Sequence, residues 1–182
     1  MQIATLLKMN VTMIAAISTD GFITGPNNDQ SWQSKEDATF LKATVKIHDV
    51  LIMGRRTFDT HKDLLAPSKK QRIVLTHTPG IYAADIKLAY FTDTPLATLL
   101  HRLADEKYKN ALILGGSSLY SDCILQNLVD DIFITVEPVQ IGSGTTILGK
   151  GLSVVDIETR YKLVSKRALN TNGTMLEHYK KQ

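Results

Sequence analysis

The sequence has a single cysteine, Cys123, so no internal disulfide can form and the fold must rest on packing. One thiol and no disulfide framework fit a reducing compartment, and a cytoplasmic location is the expectation. Five prolines and eleven glycines in 182 residues are too few for a disordered, breaker-rich chain. No run approaches the ~18 apolar residues of a membrane span, so no membrane partner is expected. Like charges do not cluster, and a net charge of +3 is too slight for the basic stripe of a nucleic-acid binder. That small excess still favours an anionic small ligand. The five histidines (His48, His61, His77, His101 and His178) are scattered, without cysteine or glutamate partners at ligand spacing, so no metal site is expected. Neither G-x-G-x-x-G nor a P-loop is present. The opening "MQIATLLKMN" is apolar but brief, with no basic start and no small-residue cleavage site. It reads as a short extension over 1–10, leaving 11–182 as one domain with length enough for a core.

What the chain does have is alternation. "VTMIAAIS", "DVLIMG", "RIVLT", "IKLAYF", "ALILGG" and "DIFITVEPV" read as buried strands. Between them "SKEDATFLKATVKIH", "RRTFDTHKDLL", "TPLATLLHRLADEKY" and "SSLYSDCILQN" read as helices, four in all. The tail "YKLVSKRALNTNGTMLEHYKK" predicts a hairpin turning at Asn172-Gly173. Alternating strands and helices make an α/β protein: a mostly parallel sheet covered on both faces, here closed by an antiparallel hairpin. Ligands of such sheets sit at the carboxyl ends of the strands. That rule points to "DGFITGPNNDQSW", "GRRT" and "GGSS".

"GRRT" and "GGSS" each follow an apolar strand and open a helix. A helix N-terminus offers free N–H groups and a partial positive charge, which favour anions. Gly54, Gly115 and Gly116 let backbone approach a ligand that a Cβ would hold away. Thr57, Ser117 and Ser118 add hydroxyl donors, and Arg55 and Arg56 add charge. Two such openings in one sheet suggest a ligand with more than one phosphate.

Asp37 carries two readings. In one, Ser34 is an N-cap and Asp37 the returning carboxylate of a capping box, "SKED". In the other, Asp37 shares the inward face of its helix with Leu41, Thr44, Val45 and His48. A carboxylate there is costly unless paired. At the edge of a cavity it would hold a ring with paired N–H donors, such as a 2-amino-4-oxo pyrimidine.

With these motifs in hand, the chain from about Met13 onward resembles the dihydrofolate reductase superfamily. "MIAAISTDGFI" resembles its first strand and mobile loop. Trp32 and Asp37, as W-x4-D, are similar to its substrate motif. "IMGRRTF", "IVLTHTPG", "ILGGSSLY" and "IFITVEP" follow in the family's order. The resemblance implies a three-layer fold with an eight-stranded sheet and about four helices, and NADPH as hydride donor. Carried over, Ala16, Gly54, Thr57, Gly115, Gly116, Ser117, Ser118 and Tyr120 would line the cofactor. Arg55, Arg56, Thr76 and His77 would face its 2′-phosphate. Ala15, Trp32, Asp37, Leu41 and Thr135 would surround the substrate, with Asp37, Trp32 and Tyr120 nearest the chemistry. The loop Asp20 to Ser31 would be the lid.

Two departures matter. Folate-reducing members place an arginine before the third strand to clamp a glutamate tail; here "SKKQRIVLT" puts Lys70 or Gln71 there, a lysine being a point charge and not a fork, and Arg72 would serve only in a shifted register. "PVQIGSGTTIL" and "LQNLVDDIFITVEP" look more like the riboflavin-pathway pyrimidine reductase branch. That branch reduces a phosphorylated ribose on an aminouracil, also with NADPH. No zinc-deaminase motif accompanies it, so a bifunctional enzyme is not expected. The resemblance implies an NADPH-dependent reductase of 7,8-dihydrofolate, with 5-amino-6-ribosylaminouracil phosphate as the alternative substrate. A non-catalytic dinucleotide-binding protein is the reading from outside enzymology. A monomer or homodimer acting on a small pterin or pyrimidine is expected.

Overall fold

The structure, a computed structural model, describes residues 9–62 and 70–182. β1 (Asn10–Ser18) lies at the centre of an eight-stranded sheet ordered β5-β4-β3-β6-β1-β7-β10-β9. Its partners are β3 (Val50–Gly54), β4 (Gln71–Leu75), β5 (Tyr90–Thr92), β6 (Asn110–Ile113), β7 (Asp131–Glu137), β9 (Tyr161–Ala168) and β10 (Met175–Lys181). β1 pairs in parallel with β6 and β7, and β3 with β4 and β6. β10 pairs antiparallel with β7 and with the edge strand β9, so the closing hairpin is built into the sheet. Its turn holds Gly173 at φ +100, where glycine carries no steric penalty.

Alternation along the strands divides the core. Val50 and Ile52 point to one face, with Met13, Ile73, Ile113, Ile132 and Ile134. There they meet α3 (Leu96–Asp105), α4 (Ser117–Leu125) and α5 (Val154–Arg160). Leu51 and Met53 point to the other face, where Ile14, Val74 and Leu112 meet α1 (Lys35–Ile47) and Phe58 of α2 (Arg55–His61). The result is the three-layer arrangement expected of the dihydrofolate-reductase-like fold.

The differences lie in short elements. Among the described residues there are five helices, not four: α5 has seven residues and buries only Ile157, too little periodicity to see. Its readable signal was the capping pattern Ser153-x-x-Asp156. "IKLAYF" is a strand only from Tyr90. Before it, Asp85 accepts backbone bonds from Leu88 and Ala89, and the turn so formed leaves Ile86 exposed. The pair β2 (Phe22–Thr24) and β8 (Thr145–Thr146) is too short to show a pattern. Met9 is already buried and Asn10 opens β1, so the core begins two residues before the expected boundary. The last residues of "RRTFDTHKDLL", at 63–65, lie outside the described residues.

Candidate functional site

The carboxyl ends of β1, β3, β4 and β6 open into one cavity of about 800 Å³. Its cofactor-like wall comes from two adjacent strand-to-helix turns, because β3 and β6 are neighbours in the sheet. The Gly54 N–H donates to the Gly115 carbonyl at 2.6 Å, locking one turn to the other. The Gly115–Gly116 peptide is cis, and Gly115 sits at φ +94. A Cβ on Gly115 would lie 2.7 Å from the Tyr120 ring, so no side chain fits. A Cβ on Gly116 would lie 3.4 Å from Thr57 Oγ1, inside the space where the turns face each other. Gly116 is the N-cap of α4 and has no side chain to offer, so the first N–H groups of that helix are left for a ligand. Gly54, Arg55, Arg56, Thr57, Thr76, His77, Ser117 and Ser118 line this part of the cavity. Arg55 also pairs with Asp59 one turn on, at 3.0 Å.

The other end is organised by α1. Asp37 lines the cavity beside Ala15, Ala16, Leu41 and Tyr120, and it is 6% exposed. The capping question is resolved by geometry. The Asp37 N–H donates to Ser34 Oγ at 3.1 Å, which is one half of a capping box. The other half is absent: the Ser34 N–H donates to Glu137 Oε1 at 2.8 Å, across 103 residues of sequence. The Asp37 carboxylate is therefore left for the cavity. At α5 the same pattern closes on itself, with the Ser153 N–H donating to Asp156 Oδ2 at 2.8 Å.

Burial pushes the Asp37 carboxyl above its ordinary value. The Thr135 hydroxyl opposes the rise and the Glu137 charge adds to it. Thr135 is fully buried behind Asp37, and its Oγ1 completes no hydrogen bond of good geometry with the described residues. Its effect on the acid is that of a nearby dipole. Tyr120 donates its hydroxyl to the Ile14 carbonyl at 2.6 Å, and burial holds its phenol far above the ordinary range. It serves as a neutral wall. Burial also pushes the Cys123 thiol up to about 12, so this is a core residue and not a nucleophile.

A small flap covers the mouth. Ile23 and Thr24 of β2 and Thr145 of β8 face the cavity, as do Asn28 and Gln30 from the expected lid. Asp20 pins the flap by accepting from Ser18 Oγ (2.6 Å), Ile141 N (3.1 Å) and Gly142 N (2.7 Å).

Of the expected residues, Thr135 and Gly115 stand behind the lining and Trp32 and Lys70 stand elsewhere. Trp32 does not line the cavity; its indole N–H donates to the Asp29 carbonyl at 3.1 Å. W-x4-D spacing places the acid, but the indole precedes the helix and follows the loop. Lys70 is drawn to the end of α1, donating to the carbonyls of Lys46 (2.8 Å) and His48 (2.5 Å), where the helix dipole favours a cation. Glu137 was missed. The available signal was a carboxylate on an apolar strand, in register with Thr135 on one face of β7. Among the described residues no helix is long and apolar enough to cross a membrane, and no group of His, Cys, Asp or Glu could hold a metal.

The model of the RibD C-terminal domain matches residues 9–174, nearly the whole chain. The protein belongs to the RibD C-terminal domain family. The uncharacterised protein YwjB of Bacillus subtilis (strain 168) is 28% identical over 145 residues, covering 76% of this chain and 82% of YwjB. A diaminohydroxyphosphoribosylaminopyrimidine deaminase/5-amino-6-(5-phosphoribosylamino)uracil reductase from Thermotoga maritima superposes with a TM-score of 0.78 at 16% identity. That match covers 96% of this chain and 57% of the Thermotoga protein. A dihydrofolate reductase from Enterococcus faecalis, solved with NADP(H), superposes with a TM-score of 0.73 at 21% identity, covering 96% and 98%. The superfamily expected from the motifs is thus the one found, with its riboflavin branch in front. Nothing in the RibD C-terminal domain match favours dihydrofolate as substrate.

Proposed function

We propose that this protein is an NADPH-dependent reductase acting on an aminopyrimidine of the ribosylaminouracil phosphate class. The observation that carries the reading is Asp37, a buried carboxylate released from helix capping and facing the same cavity as the paired glycine turns. Membership of the RibD C-terminal domain family favours this substrate over dihydrofolate. So does Lys70, which stands outside the cavity and donates to carbonyls at the end of α1.

The residues fit a dinucleotide. Gly116 lines the cavity at the N-terminus of α4 and presents bare backbone there, while Gly115 makes room for the Tyr120 ring behind it. Thr57, Ser117 and Ser118 would hold the pyrophosphate, and Arg55, Arg56, Thr76 and His77 the 2′-phosphate. NADPH, when bound, supplies the hydride. Asp37 accepts hydrogen bonds from ring N–H groups and orients the ring. Its raised proton affinity favours a proton shared with the substrate, so the nitrogen next to the reduced carbon can be protonated. Thr135 and Glu137 tune that acid from behind, and the flap excludes water. Leu41 and Tyr120 supply the apolar walls.

Dihydrofolate reduction is the second reading, because Asp37 suits a pterin ring equally. Steady-state NADPH oxidation with each substrate separates the two. Turnover of the ribosylaminouracil phosphate and not of dihydrofolate is expected. Turnover of dihydrofolate alone would overturn the first reading in favour of the second.

A further inference from the structure

Glu137 is the least expected group near the site. It is 1% exposed, on the last position of β7, and its two oxygens go to different parts of the chain. Oε1 accepts from the Ser34 N–H at 2.8 Å, and Oε2 accepts from the Thr174 hydroxyl at 2.7 Å. Thr174 is held in turn by the Asn170 side-chain amide at 3.0 Å, in the turn of the C-terminal hairpin. The same amide reaches Glu36 of α1 at 3.2 Å. The first turn of α1 is thereby tied to the far end of the chain through a buried carboxylate.

The consequence falls on Asp37. A Ser-x-x-Asp start normally closes into a capping box, as it does at Ser153 and Asp156. At Ser34 that closure is prevented because Glu137 already fills the serine N–H. We infer that Glu137 is the positioning residue of the site: by capping α1 in place of Asp37, it frees that carboxylate to face the cavity and fixes the turn that carries it. The inference rests on the reductase reading for its kinetic consequence, but not for its geometry.

The charged and titratable surroundings of Asp37 are few. β7 presents Glu137 and the Thr135 hydroxyl, and α4 presents the neutral Tyr120. β1 adds Ile14 and Ala15, which do not titrate. The Glu137 charge adds to the rise in the Asp37 proton affinity, so it is a second handle on that acid.

The test uses Glu137→Gln and Glu137→Ala in the full chain. Gln keeps an acceptor for the Ser34 N–H and loses the charge. Titration of the Asp37 carboxyl, followed by carbon-13 NMR, is expected to move to lower pH in the Gln variant. The alkaline limb of the turnover profile should move with it. In the Ala variant the Ser34 N–H has no partner, and the Asp37 carboxylate is expected to turn back onto it. That displacement should lower kcat by about 100-fold, with NADPH affinity held, and Gln should rescue most of the loss. If both variants melt earlier while the Asp37 titration and the pH limb stay as in the native protein, Glu137 is only a structural brace and the inference is wrong. If Ala fails to fold, Glu137→Thr, polar but too short to reach the Ser34 N–H, takes its place in the same comparison, and a native Asp37 titration and kcat in that variant would overturn the inference. If the native protein reduces no pyrimidine or pterin, the reductase reading falls, and the Asp37 titration still decides the role of Glu137.

Discussion

Asp37 lowers the stability of the fold it sits in. Its carboxyl is raised above the ordinary value by burial, so the folded state binds the proton more tightly than the unfolded chain. The stability this contributes is fully present below the unfolded carboxyl pKa and is lost as pH rises through the folded one. Asp37→Asn should therefore raise the melting temperature at neutral pH, and the advantage should vanish in acid. Calorimetry of both proteins from pH 4 to 8 checks this. A mutant that melts earlier at all pH values would mean that the carboxylate is paired in the fold. This residue also shows how far local sequence reaches. The inward face of α1 was readable from the spacing of Leu41, Thr44, Val45 and His48. The fate of the carboxylate was not, because a group 100 positions further on decides it. Lys70 and Trp32 failed for a related reason: a long side chain beside a loop goes to whichever acceptor the tertiary structure supplies.

The helices and strands that hold the site were legible because each buries a face and so repeats with its own period. β2, β8 and α5 bury little and show no period, and with them the flap was only half visible: the segment Asp20 to Ser31 was expected, its partner at 139–146 was not. The flap closes against tight backbone. A Cβ on Gly144 would lie 2.0 Å from the Thr24 carbonyl, so glycine is required there for approach as well as for its φ of +143. Asp20 joins the two halves, and the Ser18 hydroxyl, helped by the Ile141 and Gly142 N–H groups, holds its carboxyl below the ordinary value against burial. A depressed carboxylate keeps its partners above the unfolded pKa and releases them as pH falls through the folded one. Protection of the Ile141 and Gly142 amides from hydrogen exchange, taken relative to their intrinsic rates, should therefore fall in acid, and Asp20→Asn should remove much of that pH dependence by loosening the flap already at neutral pH. Exchange in the variant as slow as in the native protein at pH 7 would show that β2 and β8 hold the flap by themselves.

Across the whole molecule, the sheet order puts the glycine turns of β3 and β6 next to each other and β1 and β7 beyond them. Neighbouring strands lie about 4.8 Å apart, so β4 and β7 are separated by about 19 Å, and the cavity runs across the strand ends between them. Basic and hydroxyl side chains gather toward the β3–β4 side, and the acid sits against β7. The C-terminal hairpin completes the site from outside: it enters the sheet beside β7 and, through Thr174 and Glu137, fixes the helix that carries the acid. The measurement that bears most directly on this account is NADPH oxidation by the native protein and by Asp37→Asn, at saturating cofactor with the ribosylaminouracil phosphate. The account predicts substrate-dependent oxidation in the native protein, a loss of about 100-fold or more in the variant, and equal NADPH affinity in both. An asparagine variant that turns over as fast as the native protein would contradict it.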